Sequence, residues 1–484
     1  MKRPVIWLLI LLLLLSIVPL GLVTAEAVLP DYYADSYYAE LSAMYRRLRA
    51  TEEPKIVLVG GSNIAFGVDV PLLEALLAQK GYDYRVCPLG LYGAVGTSAM
   101  LELARENLNP GDLVILAMEP DPEAMSAYFG ATAFWKCAEN APELLFALNE
   151  SQRAALAGNY LGYLQERWAY FRDGTAPLVQ GVYARASFDE HCSMVYERPG
   201  NTMALGFDTT APVDLAAVTV TAGFADQVNA FCDFAQDRGA SVYLSFSPVN
   251  RSALVDPSRE AVLEYFDRCC DAFDCQPISD PNRYIYDSGW FYDSNFHLNS
   301  AGAVLRTRDL AQDLLSQLGC WEPVDCVVPE MPDSVAQMPT TSGDADCFAF
   351  SPVKDSTGRI LGYRVAGLTE QGREKTSLTV PSSHQGMPVV GFISDALSGA
   401  DRLEELTVPG SVEGLPDGLF RETSSLTRLI LTHRGRVCDV TEHTFDNAPQ
   451  VRVYVPEESY PLYRDGQGCE TNPWDNYKDR LYSY

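Results

Sequence analysis

The fold of the first half of the chain is decided by residues 55–63, which read KIVLVGGSN. Four consecutive apolar residues predict a strand that is buried on both faces, because a strand with one wet face would alternate polar and apolar residues. The two glycines that follow allow the backbone to bend sharply where the strand ends. Ser62 is therefore expected on the turn at the carboxyl end of this strand.

Apolar strands and amphipathic segments alternate along the chain after this strand. Further strands are predicted at 84–87, 113–117 and 242–246, and helices at 72–77, 100–108, 225–235 and 300–318. This alternation predicts an α/β domain with a doubly wound parallel sheet, whose ligands bind at the carboxyl ends of the strands. The domain is expected to cover residues 55–320.

Two segments depart from the alternation. Residues 121–215 are rich in aromatic side chains and too apolar to be disordered, so we expect a helical insertion packed over the functional edge of the sheet. An ordinary core segment would explain the same composition equally well. Residues 321–346 contain four prolines and little periodicity, which indicates a linker.

The first 27 residues form a candidate membrane signal. An apolar run from Val5 to Val23 is long enough for one bilayer crossing, which takes about 20 residues. Basic residues precede the run and acidic residues follow it, which places the rest of the chain outside the cell. We expect a single membrane anchor, or a secreted protein if the signal is cleaved near Ala25. Residues 28–54 have apolar positions at helical spacing and are predicted to form a helical stalk.

Composition excludes several classes of function. The chain has 36 Lys and Arg against 64 Asp and Glu, a net charge of −28, so nucleic acid is not an expected partner. The sequence has no C-x-x-C pair, no H-E-x-x-H motif and no dinucleotide or P-loop motif, so no metal and no cofactor are predicted. Twelve cysteines leave two explanations open, which are small buried side chains or disulfides such as Cys320 with Cys326 and Cys275 with Cys269 or Cys270.

Residues 347–484 contain an internal repeat. The tetrapeptide LTVP and degenerate copies of it recur about every 23–28 residues, at 378–381, 406–409, 429–432 and 454–456. One short strand per repeat is typical of a leucine-rich solenoid. With QGMPV at 385–389 and VPEESY at 455–460, the segment resembles the BspA-type leucine-rich repeats of bacterial surface proteins. The resemblance implies a module that binds a protein or a surface ligand.

A candidate catalytic loop, DSNFHLN at residues 293–299, precedes the last helix of the α/β domain. A general base must reach the nucleophile and needs a carboxylate to hold its tautomer. His297 lies in polar sequence, and Asp293 is its nearest candidate carboxylate. The structural alternatives are a surface histidine that caps the helix and a turn or N-cap role for Ser62.

A serine after the first strand, followed by Asp and His before the last helix, resembles the SGNH or GDSL-type hydrolases over residues 55–318. The matching blocks are GGSN at 60–63, LGLYG at 89–93 and DSNFHLNSAG at 293–302. The resemblance implies a flavodoxin-like sheet with Ser62 as nucleophile, His297 as base and Asp293 as acid. It also implies a backbone oxyanion donor at Gly93, and Asn63 is a further candidate for binding the oxyanion or substrate.

Two positions depart from the pattern of that family. Glu119 follows the third strand where the family usually has an asparagine that donates to the oxyanion. A carboxyl group can donate such a hydrogen bond only when it is protonated, and loss of one donor slows acyl transfer by about 10²–10³. The acid usually stands three residues before the histidine, a position that Ser294 occupies, whereas Asp293 stands four before it.

Family members with one N-terminal membrane helix are often esterases or O-acyltransferases of glycans or cell walls. The resemblance therefore implies an exported, membrane-anchored serine esterase or O-acyltransferase that acts on acyl esters of an extracellular glycan. The alternative is a non-catalytic surface adhesion protein whose α/β domain has lost its chemistry. Glu119 is the residue that favours this alternative.

Overall fold

A computed structural model describes most of the chain after residue 28. The described residues are 29–177, 179, 181–203, 205–332, 343–354, 360–385, 387–433, 436–457, 459–465 and 473–484. The predicted membrane segment at 1–27 lies outside these ranges. Among the helices within them, none is both long and apolar enough to cross a membrane.

The first part of the described chain is a mixture of helices and strands. Its helices are α1 (Glu40–Ala50), α2 (Ser62–Gly67), α3 (Val70–Ala78), α4 (Thr97–Arg105), α5 (Ala131–Ala138), α6 (Glu143–Ala147), α7 (Glu150–Asp173), α8 (Ala222–Asp237), α9 (Arg259–Ala272) and α10 (Ser300–Gln317). Its strands are β1 (Lys55–Gly60), β2 (Arg85–Leu89), β3 (Leu113–Ala117), β4 (Ser241–Leu244), β5 (Val249–Asn250), β6 (Gln276–Pro277) and β7 (Ile285–Tyr286).

Five of these strands form a parallel sheet in the order β2-β1-β3-β4-β6. Every residue of β1 and β3 is buried, because alternate side chains enter cores on opposite faces of the sheet. Val57 and Val59 pack with α1, α4 and α8 on one face, whereas Ile56 and Leu58 pack with α3 and α10 on the other. The uninterrupted apolar pattern of the strands follows from this double coverage.

The segment predicted as a stalk is helical over α1, and this helix packs into the core of the sheet. Leu41, Met44 and Leu48 are buried in the same cluster as the side chains of β1 and β3. The apolar residues at helical spacing thus mark the face that α1 turns toward the domain.

The segment predicted as a helical insertion begins with helices α5, α6 and α7, and continues to α8 without a further α-helix in its described residues. Phe134 and Tyr163 are buried in the core that covers the sheet. The aromatic residues therefore supply ordinary core packing over much of this segment. Tyr183, from its irregular part, reaches the loop that holds His297.

The last part of the chain contains a second parallel sheet and a smaller mixed one. Its helices are α11 (Glu370–Arg373) and α12 (Tyr460–Asp465), and its strands are β8 (Phe348–Lys354), β9 (Ile360–Leu368), β10 (Ser377–Thr379), β11 (Ser383–His384), β12 (Met387–Phe392), β13 (Glu405–Val408), β14 (Arg428–Leu431), β15 (Arg452–Val455) and β16 (Leu481–Ser483). The parallel sheet has the order β10-β13-β14-β15-β16, and the mixed sheet has the order β11-β12-β9-β8.

The repeated motif places equivalent apolar residues in register across the second parallel sheet. Leu378 pairs with Leu406, Leu406 with Leu429, and Leu429 with Val453. All four side chains are buried in one core. Each strand thus adds one layer of the same apolar column.

The cysteines within the described residues are free thiols, including both members of each candidate disulfide. Cys87, Cys137 and Cys438 are buried, and burial raises the pKa of each thiol. They fit the explanation that treats cysteine as a small core residue.

Candidate active site

Strand β1 delivers Ser62 to the carboxyl edge of the sheet. The strand ends at Gly60, and Ser62 is the first residue of α2. A Cβ atom on Gly60 would lie 2.7 Å from the Ala117 carbonyl oxygen, and one on Gly61 would lie 2.9 Å from Glu119 Oε1. Only glycine fits between β1 and the end of β3, so the two glycines bring the backbone beside Ser62 close to Glu119.

The loop before α10 is held by its own hydrogen bonds. The Tyr292 N–H donates to the His297 carbonyl oxygen at 2.8 Å, and the His297 N–H donates to Ser294 Oγ at 3.1 Å. Asn299 caps α10 by accepting from the Gly302 N–H. These bonds fix the backbone on both sides of His297.

The structure brings Ser62, His297 and Asp293 together. His297 Nε2 lies 2.7 Å from Ser62 Oγ, across a sequence separation of 235 residues. His297 Nδ1 lies 2.7 Å from Asp293 Oδ1. A carboxylate on Nδ1 favours the tautomer whose Nε2 lone pair can accept the serine proton. Ser294, at the spacing where the family has its acid, instead accepts backbone N–H groups, so the carboxylate at His297 comes from Asp293.

Two aromatic side chains that the sequence did not single out support this arrangement. The Phe66 ring stacks on the His297 ring, with centroids 3.8 Å apart and an interplanar angle of 7°. The Tyr183 hydroxyl donates to Asp293 Oδ2 at 2.7 Å. Phe66 is four residues after Ser62 on one helix, so helical spacing could have identified it. Tyr183 is 110 residues from Asp293 and gives no local signal.

Glu119 lies directly beside Ser62. Its Oε1 atom accepts the Asn63 N–H at 2.8 Å and lies 3.1 Å from Ser62 Oγ. Its side chain is buried, which disfavours the charged form and raises the pKa of the carboxyl group; the Asn63 N–H opposes that shift.

Asn63 uses its side chain to hold the turn. Its Oδ1 accepts the Gly61 N–H at 3.0 Å, and its Nδ2 donates to the Ala117 carbonyl oxygen at 2.8 Å. The amide is fully buried by these contacts. Asn63, a candidate for binding the oxyanion or substrate, thus spends its side chain on the turn, and its backbone N–H already donates to Glu119.

Gly93 lies on the other side of Glu119. A Cβ atom on Gly93 would lie 3.6 Å from Glu119 Oε2. Within the described ranges, neither the Ser62 N–H nor the Gly93 N–H donates a hydrogen bond. Unused backbone N–H groups are the donors that an oxyanion site requires, and that of Ser62 belongs to the nucleophile itself.

Two further features of the described part of the chain lie apart from this group. A surface cavity of about 730 Å³, lined by residues that include Glu40 and Arg185, shares no residue with the group around Ser62. Among the described residues there is no cluster of three His, Cys, Asp or Glu side chains that could hold a metal ion. In comparisons with known proteins, no family model matches the chain, and no curated protein matches it significantly.

Proposed function

We propose that this chain is a serine esterase or O-acyltransferase whose nucleophile is Ser62. The observation that carries the proposal is the continuous chain of two 2.7 Å contacts from Ser62 through His297 to Asp293. A hydroxyl is a weak nucleophile until a base accepts its proton, and an oriented histidine is the base that serves near neutral pH.

The steps of acyl transfer follow from this arrangement. Ser62 Oγ attacks the carbonyl carbon of an ester while His297 Nε2 takes the serine proton. The tetrahedral intermediate collapses, the ester C–O bond breaks, and His297 returns the proton to the departing alkoxide. Water or a sugar hydroxyl then gives a proton to His297 and attacks the acyl-serine. The bond between the acyl carbon and Ser62 Oγ breaks, His297 returns the proton to Ser62 Oγ, and an acid or a new ester is released.

The setting that we propose is an extracellular, membrane-anchored SGNH-type domain joined to a leucine-rich solenoid. The parallel order of the first sheet and its cover of helices on both faces support a doubly wound arrangement. The register of Leu406 and Leu429 supports the solenoid. With the N-terminal apolar run at 5–23, these features favour acyl esters of an extracellular glycan as substrates, and a protein or surface ligand for the repeats.

The contact between Ser62 and Glu119 favours a second candidate, a non-catalytic surface-binding protein. An ionised Glu119 would attract the Ser62 hydroxyl proton and oppose negative charge beside it. A domain that had lost its chemistry would tolerate that interaction.

The proposal is tested by ester hydrolysis with the full chain in detergent. p-Nitrophenyl acetate and an O-acetylated polysaccharide are offered to the wild type, Ser62→Ala and Ser245→Ala. Ser245 follows β4 at the same sheet edge and is bonded to Ser279, so its loss serves as the matched control. We expect Ser62→Ala to lower turnover by roughly 10³-fold or more and Ser245→Ala to leave it unchanged. Equal turnover by all three proteins would favour the binding protein.

A further inference from the structure

We infer that Glu119 takes part in the reaction as a neutral carboxylic acid, which donates the hydrogen bond from Oε2 to the oxyanion, so that the site works only while this residue is protonated. The inference rests on the proposed acyl chemistry at Ser62 and adds both a catalytic residue and a pH control to it.

The two oxygens of Glu119 are in different environments. Oε1 accepts the Asn63 N–H and faces Ser62 Oγ. Oε2 makes no hydrogen bond to any part of the protein that the structure describes. It lies 3.2 Å and 3.6 Å from the positions that a Cβ atom would take on Gly61 and on Gly93. A proton is placed best on the oxygen that does not already accept an N–H. The acid O–H then starts from Oε2, the carboxyl oxygen that lies closer to Gly93.

The state of Glu119 also decides where the Ser62 hydroxyl donates its single proton. The two possible acceptors are His297 Nε2 at 2.7 Å and Glu119 Oε1 at 3.1 Å. A carboxylate competes strongly for the hydroxyl, since hydrogen bonds to charged acceptors are about twice as strong as neutral ones. A neutral acid competes less, so the serine proton remains available to His297.

The reaction itself favours the neutral acid. The tetrahedral intermediate carries a negative oxygen within a few ångströms of Ser62, and a carboxylate beside it would repel that charge. A carboxylic acid would stabilise the same charge with its O–H. Ionisation of Glu119 therefore converts a donor into a repulsive charge without any movement of the backbone.

The charged groups around Glu119 leave the neutral form accessible. Its side chain is 6% exposed, and this burial is the main cause that raises its pKa. Asp121, two residues further along the chain, adds to the increase, whereas His297 and the Asn63 N–H oppose it. From α10, the buried Arg306 contributes positive charge that also opposes the increase, and its guanidinium donates to the Asn63 carbonyl oxygen.

One further group faces Glu119 from the segment before α1. The Tyr37 hydroxyl donates to the Leu91 carbonyl oxygen, and the pKa of this tyrosine is raised by burial and by nearby acids that include Glu119. It stays uncharged and adds no cation. Because the active form of Glu119 carries the proton, activity that depends on this residue falls tenfold per pH unit above the pKa of Glu119.

The test compares pH profiles of p-nitrophenyl acetate hydrolysis and of fluorophosphonate labelling for the full chain over roughly pH 4 to 9. The variants are Glu119→Gln, Glu119→Ala and the control Asp121→Asn. The amide introduced by Glu119→Gln donates at every pH, so we expect the decline in rate at alkaline pH to disappear in this variant. At alkaline pH the rate of the variant should exceed the wild-type rate at least about tenfold. Glu119→Ala should lose about 10²–10³ in rate at low pH. Asp121→Asn should keep the decline and move it to lower pH.

The possible failures are distinguishable. If Ser62 is labelled but Glu119→Gln retains the wild-type decline, or reacts more slowly than the wild type at every pH, this inference is wrong and the proposed function stands. If neither the wild type nor any variant is labelled or hydrolyses the ester, the proposed function is wrong and the inference fails with it.

Discussion

Replacement of Tyr183 by phenylalanine should slow acyl transfer without weakening substrate binding. The Tyr183 hydroxyl donates to Asp293 Oδ2 at 2.7 Å, and Asp293 Oδ1 faces His297. The hydroxyl therefore fixes the rotation of the carboxylate that orients the imidazole. A hydrogen bond to a charged group contributes about 1.5–3 kcal/mol. Because the Asp293 side chain is 22% exposed, water replaces part of the lost bond, and the low end of that range applies.

A loss of about 1.5 kcal/mol corresponds to a rate about tenfold lower. Since the Tyr183 hydroxyl acts through Asp293, the loss should appear in kcat while KM stays the same. The assay is steady-state hydrolysis of p-nitrophenyl acetate, with urea denaturation as a check on folding. Tyr196→Phe is the control, because the Tyr196 hydroxyl makes no hydrogen bond to the described residues. An unchanged kcat for Tyr183→Phe, or an equal loss in both variants, would refute the positioning role.

Two further predictions concern stability. Lys55 and Asp112 form a fully buried ion pair at 2.7 Å, so Lys55→Met should lower the free energy of unfolding by about 3 kcal/mol in urea denaturation; a loss under about 1 kcal/mol would contradict this. Burial lowers the pKa of His433 to about 3. Below about pH 6.5 the unfolded chain therefore binds a proton that the folded chain does not. As the pH is lowered below this value, the free energy of unfolding decreases by up to about 1.4 kcal/mol per pH unit. His433→Gln should reduce this slope, whereas identical slopes would exclude His433 as its source.

The sequence predicted the strands that are buried on both faces, because such strands leave uninterrupted apolar runs. The third strand occupies its predicted residues 113–117, and β1 lies within the stretch at 55–63. Strand β6 was not predicted, since it has two exposed residues, Gln276 and Pro277, without an apolar pattern. The mixed sheet that contains β8 and β9 was also missed, because its alternating burial is weak and its residues do not follow the repeat.

In the site, residues that stand in short sequence motifs could be predicted, whereas contacts that depend on the fold could not. Ser62, Asp293 and His297 stand in short motifs whose residue types carry the chemistry, and the structure places them in contact. Glu119 was recognised from its place after a strand, but its contact with the Asn63 N–H depends on the approach of β3 to β1. Tyr183 could not be predicted, because only the folding of a long irregular segment brings it to Asp293.

Mapping the site of fluorophosphonate labelling shows whether Ser62 is an activated nucleophile. The full chain in detergent is labelled, digested and analysed by mass spectrometry, beside Ser62→Ala and His297→Ala. We expect a single adduct on Ser62 in the wild type, none in Ser62→Ala, and labelling at least about 10²-fold slower in His297→Ala. An unlabelled wild type, or labelling of Ser62 at the wild-type rate without His297, would contradict it.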